Sequence, residues 1–160
     1  MNRRGVRAVP VDDKMAVTIK KVGVIGSGQM GNGIAHVAAL AGFDVVLNDV
    51  SDERLKSAMA TINGHLSRQV AKQVITEDAR KKALSRITST ETLDGLADCD
   101  LVIETAIEKE EVKRKIFHEL CAVLKPEAIV ATNSSSISIT RLAASTDRPE
   151  RFIGIHFMNP

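Results

Sequence analysis

The chain has 160 residues, 44% of them hydrophobic, and its 22 basic and 20 acidic side chains leave a formal net charge of +2. That length fits one domain with a packed core, and the near-neutral balance gives no electrostatic case for nucleic acid or an anionic membrane as a partner. Aromatic residues make up 2%, with no Trp or Tyr, which removes the usual base-stacking platforms.

Residues 1–17 are basic at first, lack an apolar stretch and carry Asp12 and Asp13. They read as a disordered N-terminal extension rather than a signal or transit peptide, with one domain expected over 18–160. "IKKVGVI" (Ile19 to Ile25) predicts a buried strand, Gln29 to Ala41 a helix ended by Gly42, and Phe43 to Asp49 a second strand. From Asp52 to Lys72, Leu55, Met59, Ile62, Leu66 and Val70 recur at helical spacing. Glu77 to Arg86 follows as a second helix with Thr76 as its N-cap, so the pair forms a helical hairpin. "RITST" predicts a short strand and Asp100 to Ala106 a buried one. The next helix has its apolar stripe at Val112, Ile116, Leu120 and Val123 and ends before Pro126. Glu127 to Asn133 predicts a strand, Ile139 to Ala144 a short helix, and "RFIGIHF" a last strand. Strands that are apolar on both faces and alternate with helices define an α/β chain: a Rossmann-type, doubly wound, mostly parallel sheet with the hairpin inserted after the second strand.

"GVIGSGQMGNGIA" packs five glycines into thirteen residues across the junction of a predicted strand and a predicted helix. In that context Gly26 permits a tight turn, Gly28 lets the backbone approach a pyrophosphate, and Gly31 lets the helix pack closely. Ser27, Gln29 and Met30 complete the loop and are expected at the cofactor. The helix N-terminus offers partial positive charge to phosphates. Asp49 closes the second strand about 20 residues beyond Gly28, where its carboxylate can accept from ribose hydroxyls and repel a 2′-phosphate. NAD is therefore the expected cofactor, while FAD and S-adenosylmethionine sites use related loops. "ATNSSSISI" and "GIHFMNP" put Ser135 and His156 at the carboxyl ends of later strands, where ligands of open parallel sheets bind. A nicotinamide cofactor with a histidine base suggests oxidation of an alcohol. His36, His65 and His118 fall in helical patterns and read as packed or solvated, and Ser134 and Ser136 read as turn or cap residues. Cys99 and Cys121 stand apart without CxxC spacing, so neither a disulfide framework nor a metal site is expected and a reducing, cytoplasmic compartment is favoured. No apolar run approaches a membrane span.

"VGVIGSGQMGNGIA", "DLVIETAIEKEEVKRKIF", "ATNSSSISIT" and "RFIGIHFMNP" together resemble the NAD-binding domain of the 3-hydroxyacyl-CoA dehydrogenase family, over Ile19 to Pro160 in collinear order. The short-chain, 3-hydroxybutyryl-CoA members are nearest. The resemblance implies that His156 is the catalytic base, that Asn159 lies near the nicotinamide, and that Ser135 touches cofactor and substrate. It implies NAD contacts from Glu108 and Lys113, and coenzyme A contact from Lys72 in the hairpin, with His65 where some relatives carry serine. The family's glutamate partner for the histidine and its helical C-terminal domain would fall beyond Pro160. The full-length protein is then expected to be a homodimer acting on an acyl-CoA. The cofactor domain alone would be monomeric or weakly associating and nearly inactive, with apolar residues exposed near Phe157, Met158 and Pro160. A sugar-acid dehydrogenase of the L-gulonate type and a stand-alone NAD-binding module are the alternatives.

Overall fold

The computed structural model describes residues 17–158. Nearly all of the expected N-terminal extension, together with Asn159 and Pro160, lies outside the described residues. The first half of the domain runs through β1 (Lys21–Ile25), α1 (Gln29–Leu40), β2 (Asp44–Asn48), α2 (Asp52–Ala71), α3 (Glu77–Ser85) and β3 (Ile87–Thr90). A 3₁₀ turn at Leu93–Leu96 leads into β4 (Leu101–Glu104), α4 (Glu110–Val123), β5 (Ile129–Thr132), α5 (Ile139–Ala143) and, after a second 3₁₀ turn, β6 (Phe152–Gly154).

The strands form one sheet in the order β3-β2-β1-β4-β5-β6. Every pairing is parallel, so the expectation of a mostly parallel sheet is met without exception. Strand residues alternate between two cores. Val22, Val24, Val45, Leu47, Ile103 and Ala131 face the helices α1, α2 and α3, where Ile34, Ile62 and Leu66 are fully buried. Ile25, Val46, Val102 and Val130 face α4 and α5, where Phe117, Leu120 and Leu142 are fully buried. Period-2 alternation in doubly covered strands gives continuous apolar runs, which is why the strands were legible.

Local chemistry sets the helix ends. The Ser51 and Thr76 hydroxyls accept from the backbone N–H of Arg54 and Ala79 at the starts of α2 and α3. Gly42 follows α1 with φ +98°. The ladders are shorter than the predicted strands because side chains take over the backbone bonds at their edges. Asp100 Oδ2, for example, accepts the N–H groups of Lys20 and Lys21 at 2.7 and 2.8 Å, just before β4.

One expectation is corrected. Of the stripe Val112, Ile116, Leu120 and Val123, only Leu120 is fully buried, and the inward face of α4 is Lys113, Phe117, Leu120 and Cys121. The face is rotated because the Lys113 amine meets a carboxylate inside the fold, so a cation occupies an inward position that apolar periodicity does not reveal.

Candidate active site

The register aligns Ile25 with Asn48 and Glu104, Glu104 with Thr132, and Thr132 with Gly154. Gly26, Asp49, Thr105, Asn133 and Ile155 therefore stand one step beyond the carboxyl ends of their strands. The strand order reverses between β1 and β4, and the crevice there is where open α/β sheets receive ligands.

The glycine turn is locked from three sides. Gly26 has φ +94°, and a side chain there would also meet Thr105. Thr105 Oγ1 donates to the carbonyls of Ile25 and Gly26 at 2.8 and 3.2 Å. A Cβ on Gly31 would lie 1.7 Å from the Gly26 carbonyl oxygen, so α1 packs directly on the turn. Nothing lies within 4 Å of where a Cβ on Gly28 would be, at the N-cap of α1. That open face beside a helix N-terminus suits a pyrophosphate. Ser27 plays a different part from the one its loop position suggests. It is buried, and its N–H and hydroxyl both donate to Asp49 Oδ2, at 3.0 and 2.8 Å. Asp49 Oδ1 lies 3.9 Å from an Arg54 guanidinium nitrogen.

Three clefts surround this turn. The first, about 640 Å³, has apolar walls from Val50, Leu93, Ile107 and Ile116, with Gly28, Asp49 and Arg54 among its lining residues. An adenosine fits that mixture of apolar walls and a carboxylate. The second, about 460 Å³, collects Met30, Glu108, Lys113, Asn133, Ser135 and His156. Thr105 and Ala106 line both, so the two clefts meet beside the glycine turn. The third, about 540 Å³, runs between α1 and α2 past Gln29, Asn32, Arg54, Thr61 and His65. Lys72 is exposed at the C-cap of α2 and lines none of these three.

Beneath the second cleft is a buried polar network. Glu104, fully buried, accepts from Lys113 Nζ at 2.7 Å and from the Thr132 hydroxyl at 2.7 Å. Lys113 also donates to the Ala106 carbonyl at 3.1 Å and lies 3.5 Å from Glu108 Oε2. Lys113 is thus held mainly as the internal partner of Glu104, with its surface reaching the cleft. Glu108 Oε1 accepts from the Ser134 hydroxyl, from the Ser136 hydroxyl at 3.0 Å and from the Ser136 N–H at 3.4 Å. Partial burial pushes the Glu108 carboxyl up, but the bonds from Ser134 and Ser136 and the charge of Lys113 together hold it below the ordinary value. The two flanking serines are tied down, and Ser135 between them is exposed and lines the cleft with His156.

Arg54, Thr105, Glu104 and Asn133 are site residues that the sequence reading did not single out. Arg54 had a local signal, a cation in the first turn of α2 just after Asp49. The other three act through register between strands, which leaves no trace in local spacing. Among the described residues no group of three or more His, Cys, Asp or Glu side chains could hold a metal ion, and no helix is long and apolar enough to cross a membrane.

A βαβ unit whose glycine turn opens into the crevice of a doubly wound sheet, with Asp49 at the tip of the second strand, defines a dinucleotide-binding domain. The family model described as "3-hydroxyacyl-CoA dehydrogenase, NAD binding domain" matches residues 21–160. The chain belongs to that family, and NAD is its cofactor. It is 84% identical over 146 residues to a 3-hydroxybutyryl-CoA dehydrogenase of Bradyrhizobium diazoefficiens, covering 91% of this chain and 50% of that protein. It is 43% identical to a 3-hydroxybutyryl-CoA dehydrogenase of Mycobacterium tuberculosis, covering 91% of this chain and 51% of the relative. The solved structure of an (S)-3-hydroxybutyryl-CoA dehydrogenase from Ralstonia eutropha superposes with a TM-score of 0.87 at 43% identity, covering 89% of this chain and 50% of that one. The chain spans about half the length of these relatives.

Proposed function

We propose that the complete protein oxidises a short-chain (S)-3-hydroxyacyl-CoA, such as 3-hydroxybutyryl-CoA, to the 3-oxoacyl-CoA with NAD. The observation that carries this reading is the meeting of two clefts: one suits adenosine, and the other gathers Ser135 and His156. The names of the relatives favour it over a sugar-acid dehydrogenase.

In this reading Gly26, Gly28 and Gly31 shape the pyrophosphate seat, with Ser27 anchoring it and Gln29 and Met30 at its rim. Asp49 takes the adenosine ribose. Glu108, Lys113 and Asn159 bound the nicotinamide end. When bound, NAD supplies the acceptor for the hydride that leaves C3 of the substrate. The His156 imidazole takes the proton of the 3-hydroxyl as the carbon–oxygen double bond forms, and Ser135 holds that oxygen in line. Residues 1–160 span about half of the relatives' length, and on their own they should turn over far more slowly than the complete protein. Lys72 holds the coenzyme A moiety from outside the cleft. The complete protein is a homodimer, while this chain associates weakly through the surface near Met158, which is 81% exposed, whereas Phe157, expected exposed there, is half-buried against the core. A reducing, cytoplasmic setting fits the buried free thiols of Cys99 and Cys121.

The test is substrate choice by the complete gene product. Acetoacetyl-CoA should be reduced with NADH, and L-gulonate should not be oxidised with NAD. Turnover of L-gulonate alone would overturn the assignment. Sedimentation velocity of residues 1–160 should show a concentration-dependent shift, and a tight dimer at nanomolar concentration would contradict the weak association.

A further inference from the structure

The pairing of β6 with β5 runs from Phe152 to Gly154 and stops there, and the last ladder bond runs from the Ile155 N–H to the Thr132 carbonyl at 3.0 Å. His156 comes next, two residues beyond the end of this three-residue edge strand. Its segment has a second tether. The Phe157 N–H donates to Asn133 Oδ1 at 2.7 Å. Asn133 is itself fixed, because its own N–H continues the β4–β5 ladder to the Glu104 carbonyl at 2.9 Å. A side-chain amide thus supplies the carbonyl that the backbone no longer can, and extends the β5–β6 pairing across the histidine.

We infer that Asn133 is a positioning residue for His156: its side-chain carbonyl pins the backbone on the far side of the histidine and so fixes the direction of the imidazole. The inference rests on the reading of His156 as the base. Ile155 and Phe157 on either side pack against the core beneath α1, α2 and α3, while His156 is exposed and lines the cleft with Ser135 and Met30, a cleft that Phe157 also borders. The Asn133 bond holds the peptide unit that follows His156, and the Ile155 N–H bond holds the unit before Ile155, so the backbone is tied down on both sides of the histidine. Without the Asn133 bond, the Ile155 N–H and the apolar packing of Ile155 and Phe157 remain, and the exposed histidine between them gains a wider range of orientations. A base displaced by about 1 Å loses on the order of a hundredfold in rate.

Three variants test this. Asn133→Ala and Asn133→Leu delete the acceptor. Asn133→Asp keeps an oxygen at the same reach. On residues 1–160, amide hydrogen exchange should show Phe157 protected in the wild type and in Asn133→Asp, and at least tenfold less protected in the other two. In the complete gene product, Asn133→Ala should lower kcat for acetoacetyl-CoA reduction by tenfold to a hundredfold and leave the KM for NADH within about twofold. Asn133→Asp should recover most of that kcat. Unchanged Phe157 exchange in Asn133→Ala, or unchanged kcat, or an Asn133→Asp variant as impaired as Asn133→Ala, would overturn the proposal. A wild-type protein inactive on acetoacetyl-CoA would instead overturn the assignment of the reaction, and the exchange measurement would still decide whether Asn133 holds the segment.

Discussion

The two oxygens of Asp49 have different neighbours. Oδ2 holds Ser27 and Oδ1 sits on the side of Arg54. Asp49→Asn keeps an acceptor for Ser27 but removes the charge that repels a 2′-phosphate, and Arg54 is then unopposed. The variant should bind NADH about tenfold more weakly and discriminate less against NADPH, read by titration calorimetry with both. An unchanged preference would remove Asp49 from that role. Lys113 and Glu104 form a pair at 1% and 0% exposure, so removing one partner strands a buried charge. Lys113→Met should destabilise by about 3–5 kcal/mol in denaturant melts, and adding Glu104→Gln should recover much of the loss. Equal stability of wild type and Lys113→Met would show that Glu104 needs no cation. The glycines and Asp49 were legible because their chemistry is local. The inward turn of Lys113 was not, because its partner lies across a strand-to-helix loop and the apolar spacing of Val112, Ile116 and Val123 pointed to a neighbouring face.

Among elements, the junction of β1 and α1 is the tightest. Gly31→Ala drives a methyl group into the Gly26 carbonyl, so it should lower stability by about 1–3 kcal/mol and abolish measurable NADH binding. Gly28→Ala has open space and should melt like the wild type while still weakening NADH binding at least tenfold. A Gly28→Ala protein that binds NADH normally would place the pyrophosphate elsewhere. The α1–α2 contact carries a pH dependence. His36 is buried on α1 with its ring 6.2 Å from that of His65 on α2, and Gln69 faces it from the same helix. Burial pushes the His36 imidazole below its ordinary value, against the opposing effect of the Gln69 side chain. The unfolded chain therefore binds the proton more readily, so stability is full above about pH 6.5 and falls as the pH drops below it. Thermal melts should show a steeper loss between pH 7 and pH 5 in the wild type than in His36→Leu, and parallel curves would contradict this. Helix and strand identity were readable from periodicity. Their ends were less so, because side chains such as Asp100, held near pKa 2 chiefly by its bond to Lys125, take over backbone partners there.

For the whole molecule, the strand order sets where the clefts lie. Two winding directions from β1 leave a crevice, and the parallel register brings Gly26, Asp49, Thr105 and Asn133 to its rim. The sequence placed Ser135 and His156 at strand ends, and in the structure they lie just past the ends of β5 and β6. That they share one cleft depends on β5 and β6 being neighbours, which no local pattern encodes. The central claim is that His156 works as a base at the nicotinamide end of a cofactor site it does not help to bind. The most direct test compares wild type and His156→Gln in the complete gene product, measuring NADH affinity and acetoacetyl-CoA reduction on the same preparations. The account predicts NADH affinity within about twofold and a kcat lower by 10²–10⁴-fold. A His156→Gln enzyme that turns over at the wild-type rate, or loses NADH binding in step with its activity, would contradict it.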